Sequence, residues 1–275
     1  MKTDMTFSAV NETFYEEFLV EASKAIALTQ ASEVVFELII YVLMAILAFQ
    51  IYKEIAKLYS FIEYEGLRYF KNTFFFYGIA NLLLTLMSLG FLLLKISLIK
   101  GLDLAVLLPL ENLKLLFLAV VLFLFLLGIC FWLAKANLLA SITWRLAEEY
   151  VRMKKIRKYF FFLSLMLFVI LDASLELTLL TQLGIYVAFG YRALMFVLIL
   201  LLIRSNMLSG EEAKPISHPY YLALILLFTV NFLSHSLNII EEGYTFLYTA
   251  LDILTVFAYV IILKGIKKWS RILVE

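Results

Sequence analysis

Six polar side chains interrupt stretches that are otherwise apolar: Asp172, Glu176, Arg192, Asn231, His235 and Asp252. An ionisable group inside a bilayer-spanning helix is costly to desolvate, which makes it a functional candidate by default. Three carboxylates face one guanidinium and one imidazole, so negative charge is left over once Arg192 is paired. Such a set suits a proton, a cation or an amine-bearing ligand. Asp172 and Glu176 are spaced i,i+4, as are Asn231 and His235, so each pair shares a helix face. The same residues also read as a clamp, with Arg192 paired to Asp172 or Asp252 and no ligand at all. Arg192 snorkelling outward without a partner is a third reading. A metal centre on His235, Glu176 and another acid lacks a second imidazole, because His218 lies at the opposite edge. The expectation is a ligand- or proton-binding cluster with no metal and no cofactor.

Helices must hold these side chains, and the chain supplies seven apolar stretches: 34–52, 73–94, 113–133, 160–180, 185–203, 219–237 and 244–263. A spanning helix needs roughly 20 mainly apolar residues. Across 275 residues, 64% hydrophobic content, 16% charged content and a mean hydropathy of +0.97 do not suit a soluble domain. The predicted fold is all-α: a polytopic membrane protein built as a seven-transmembrane-helix bundle. Residues 1–33 form an extracytoplasmic segment, 34–263 the transmembrane domain and 264–275 a short basic cytoplasmic tail. At about 1.5 Å per residue, Asp172, Arg192, Asn231 and Asp252 fall in one layer, roughly 11–12 Å from the outer edge of a ~30 Å core. Glu176 and His235 fall about a turn further out, at roughly 6 Å. The connections 181–184 and 238–243 are short, which makes spans four and five, and six and seven, antiparallel neighbours.

Lys and Arg are sharply uneven. The connections at 53–71, 135–158 and 204–214 and the C-terminal tail hold 17 of them, and the opposite ends hold five. The positive-inside rule then puts the N-terminus outside and the C-terminus in the cytoplasm, as a multi-pass protein of the cell membrane. Aromatic runs at Tyr69 to Tyr77, Tyr159 to Phe162 and Tyr220–Tyr221 read as an interfacial belt on the basic side.

Outside the bilayer, 12–30 reads as an amphipathic helix, with Phe14, Phe18, Ala22 and Ile26 recurring every four positions. The 135–158 connection reads as a helical extension of spans three and four, with no Gly or Pro to stop it. Its seven basic residues suit anionic lipid heads or an acidic cytoplasmic protein, which would also meet the C-terminal tail. The net charge of +1 resides in the loops and points to no nucleic acid. Cys130 is the single cysteine, so there is neither an internal disulfide nor a Cys/His zinc spacing. No nucleophile–His–acid arrangement, phosphate loop or HExxH occurs, and no enzyme is expected.

The stretch Ile51-Tyr52-Lys53 … Gly66-Leu67-Arg68-Tyr69-Phe70-Lys71-Asn72-Thr73-Phe74-Phe75-Phe76-Tyr77-Gly78 resembles the first connection of prokaryotic, archaeal-type seven-helix sensor modules. The resemblance covers about the first hundred residues and the topology, and it transfers no site residues. Such modules often precede histidine kinases; with no output domain after span seven, the expectation here is a stand-alone sensor or receptor-like protein signalling through a cytoplasmic partner. A proton- or cation-coupled transporter and a structural subunit of a membrane complex are the rival expectations.

Overall fold

The computed structural model describes residues 31–100, 110–150 and 245–274, together with single positions between 156 and 230. Four long helices run through these segments: α1 Ala31–Ile62, α2 Glu65–Ile99, α3 Leu110–Tyr150 and α4 Thr245–Val274. All four are long and apolar enough to cross a membrane. The protein is a helical membrane protein. The helices coincide with the apolar stretches 34–52, 73–94, 113–133 and 244–263. Those at 160–180, 185–203 and 219–237 lie outside the described residues save for isolated positions, as does 12–30 entirely.

The helices do not stop where the hydropathy falls. With 32, 35, 41 and 30 residues they are longer than their apolar cores, and no proline lies inside any of them. At 1.5 Å per residue they measure about 48, 52, 62 and 45 Å, against ~30 Å of hydrocarbon. The connection at 53–71 is therefore mostly helix, broken only at Glu63 and Tyr64. Glu63 adopts φ 50°, in the left-handed region that usually takes glycine. Its N–H donates to the Tyr59 carbonyl at 2.9 Å, closing α1. The N–H groups of Leu67 and Arg68 donate to the Tyr64 carbonyl at 2.9 and 3.3 Å, opening α2.

The chain divides into two compact units: Met1–Val42 with Asn81–Ile129, and Leu43–Ala80 with Cys130–Glu275. In the first, most large apolar side chains are exposed; Leu115, Leu122 and Phe125 are more than half exposed. Exposed apolar surface on a membrane helix is lipid-facing surface. Asn81, Ser88 and Lys95 are buried polar exceptions.

The second unit holds most of the buried core, and α2 is its hub. Against α1, Tyr52 meets Phe75 at 5.4 Å between ring centroids. Gly78 lies so close to Phe49 that a Cβ there would sit 2.9 Å from its ring. Against α3, Ser141 Oγ donates to the Gly66 carbonyl at 3.0 Å, and Tyr77 meets Phe131 at 6.3 Å. Against α4, the buried Tyr259 ring packs 5.5 Å from Phe74 and 6.4 Å from Tyr77. Residues Leu138 to Thr143 of α3 are buried at six successive positions. A helix buried on all sides is a core helix. The expected helical extension of span three is thus present through Tyr150, and between Leu138 and Thr143 it is packed core.

The aromatic run of α2 is divided between buried and exposed members. Phe70, Phe74 and Tyr77 are buried. Their spacing puts them on one face, turned into the helix bundle and not toward an interfacial belt. In the following run Phe161 is buried against Tyr69 and Trp144, while Tyr159 and Phe162 are exposed.

Candidate functional site

Asp172, Glu176, Arg192, Asn231 and His235 lie outside the described residues, so their grouping has no geometry here. Asp252 lies in the second turn of α4, is half-buried and takes part in an interaction with a neighbour. Among the described residues, no group of three or more His, Cys, Asp or Glu is placed to hold a metal ion.

The described chemistry concentrates at the Lys/Arg-rich ends of the helices in the second unit. Several cations on α1, α2 and α3 are engaged. Lys57 Nζ pairs with Glu54 at 3.1 Å, and Arg68 pairs with Glu65 at 3.3 Å. Arg145 and Glu148 approach to 3.9 Å. Lys71 lies between two rings of α1, 5.1 Å from the Tyr59 centroid and 6.0 Å from that of Tyr52. Each of these pairs is local or aromatic and fixes a side chain rather than supplying much stability.

The cations of α4 differ. Its last turns alternate buried Ile262, Leu263 and Ile266 with exposed Lys264, Lys267, Lys268 and Arg271. The apolar set anchors the helix and forces the cations outward. These four have no ion-pair or ring partner among the described residues.

Two of them meet α1 across an open cleft of about 660 Å³. From α1 come Glu54, Lys57, Ser60 and Phe61, all within two turns and on one side. From α4 come Lys267, Ser270 and Arg271. Ser60 Oγ donates to the Lys57 carbonyl at 2.7 Å, which fixes its hydroxyl beside the cleft. Phe61 is 67% exposed. With three cations and one carboxylate, the cleft is net positive. The sequence carried half of this signal, the spacing of Lys267, Ser270 and Arg271. It could not show that α1 supplies the other wall.

Comparison with protein-family models, curated proteins and solved structures finds no match.

Proposed function

We propose that this chain is a seven-helix protein of the cell membrane, N-terminus outside and C-terminus cytoplasmic, acting as a stand-alone sensor. It binds a small ligand or a proton in the outer-half cluster of Asp172, Glu176, Arg192, Asn231, His235 and Asp252. A cytoplasmic protein reads the result at 135–158 and the C-terminal turns of α4. It performs no catalysis. One observation carries this reading: α4 runs without a break from Asp252 to a basic face that no described residue neutralises. A continuous helix is a stiff element, and a shift at one end reaches the other. The charge distribution of the connections supports the orientation.

The test uses the full chain in vesicles, in a Cys130→Ala background. A fluorophore on Lys268→Cys should change emission across about pH 5 to 8, where imidazoles and perturbed carboxylates titrate. Asp172→Asn with Asp252→Asn should abolish that change while the protein stays folded. Emission that ignores pH, or a change that survives the double substitution, sinks the sensor reading. An impermeant thiol reagent that labels Lys268→Cys from outside intact cells sinks the orientation.

A further inference from the structure

We infer that the cleft between α1 and α4 binds a soluble phosphate-bearing anion that carries a ring, with Lys267, Arg271 and Lys57 holding the phosphate. This goes beyond the sensor reading and does not depend on it. Three observations converge. Lys267 and Arg271 project into the cleft with no partner among the described residues. Glu54 holds Lys57 at 3.1 Å and leaves the cleft a net positive charge that would balance a phosphate dianion. Ser270 adds a hydroxyl beside the cations, and the exposed Phe61 ring adds a flat apolar surface. Arg supplies a forked donor set matched to phosphate oxygens, while Lys acts as a point charge. The volume of about 660 Å³ falls within the usual size of small-molecule sites.

Depth decides between a free anion and a lipid headgroup. Lys57 follows Tyr52, the end of the first apolar stretch, by five residues. Lys267 and Arg271 follow Leu263, the end of the last stretch, by four and eight. At about 1.5 Å per residue, the cations stand roughly 6–12 Å beyond the apolar stretches. The headgroup region extends only ~5–7 Å past the hydrocarbon. Lys267 and Lys57 therefore stand at the outer edge of the headgroup region and Arg271 in the water beyond it, so the cleft opens to water on the Arg271 side.

The test reconstitutes the full chain in phosphatidylcholine nanodiscs, with ATP and inorganic pyrophosphate as probes in calorimetry. Both should bind saturably and more weakly as salt rises. ATP should bind more tightly, because it offers Phe61 a ring and brings a third phosphate to the cations. Lys267→Gln with Arg271→Gln should weaken both probes by about tenfold or more. Lys264→Gln with Lys268→Gln removes equal charge from the same helix outside the cleft and should leave both nearly unchanged. Phe61→Ala should narrow the advantage of ATP and spare pyrophosphate. The charge-retaining Lys267→Arg with Arg271→Lys should keep binding, which guards against loss through misfolding. Equal losses in the two Gln pairs would mean a diffuse basic surface and overturn the site. Absence of soluble-probe binding overturns it as well. If, in that case, only the cleft pair loses retention of phosphatidic acid in mixed nanodiscs, the cleft belongs to a lipid headgroup.

Discussion

Truncating Tyr259 separates packing from lipid contact on a single helix. Tyr259 is 2% exposed and lies between the rings of Phe74 and Tyr77, whereas Phe257, two residues earlier on α4, is 62% exposed. In water, each truncation would forfeit transfer free energy. In a bilayer that contribution nearly cancels, because lipid is as apolar as the protein interior. What remains for Tyr259→Ala is the cavity. A void of roughly 100 Å³ at about 24 cal/mol per Å³ costs about 2.4 kcal/mol. The lost ring pairs with Phe74 and Tyr77 add about 0.5–1.5 kcal/mol each. Lipid fills the space left by Phe257→Ala, so that change should stay within about 0.5 kcal/mol. Thermal unfolding of the purified protein in mild detergent reads the difference. At about 2–4 °C per kcal/mol, Tyr259→Ala should lower Tm by roughly 7–20 °C and Phe257→Ala by at most about 2 °C. Tyr259→Phe keeps the ring and should retain most of the stability. Equal drops for the two Ala variants would refute the packed interface of α2 and α4.

Three other perturbations follow from the same packing. Gly78→Val should destabilise by about 1–3 kcal/mol through overpacking against Phe49, and adding Phe49→Ala should recover much of that loss in the same melt. Ser141→Ala removes the hydroxyl that reaches Gly66 from α3 and should cost about 0.6–1.5 kcal/mol, measured as a small Tm drop with unchanged helicity. Glu63→Gly relieves a left-handed residue and should raise stability by up to about 1 kcal/mol, while Glu63→Val should lower it.

How far the sequence disclosed this arrangement varies from element to element. The apolar stretches within α1 to α4 were legible because hydrophobic length is the strongest signal a membrane helix carries. Their extension past the hydrocarbon was legible only in part. Span three was expected to continue as helix, but 53–71 was read as a connection, because charge there masks an unbroken helical pattern on either side of Glu63. The fate of Phe70, Phe74 and Tyr77 was missed for a different reason. An aromatic run next to basic residues fits an interfacial belt by composition, and only the i,i+4,i+7 spacing separates the buried members from the rest. The cleft joins residues some two hundred positions apart on α1 and α4, and no local pattern announces such a meeting. The cluster around Asp252 rests on helical arithmetic alone, since its other members lie outside the described residues.

The turn at Glu63 and Tyr64 bears on how the molecule is made. Only two residues separate Ile62 from Glu65, so neither helix can enter the bilayer far ahead of the other. The contacts that seal the pair, Lys71 with Tyr59 and Tyr52 with Phe75, join residues close in sequence. Contacts of that kind form fast, because little loop entropy opposes them. They form once α2 has left the ribosome, ahead of the contacts with α3 and α4. The hairpin of α1 and α2 is thus the template on which the later helices assemble. Lengthening this turn with a flexible insert should leave the finished contacts intact and slow the protein's appearance in the membrane.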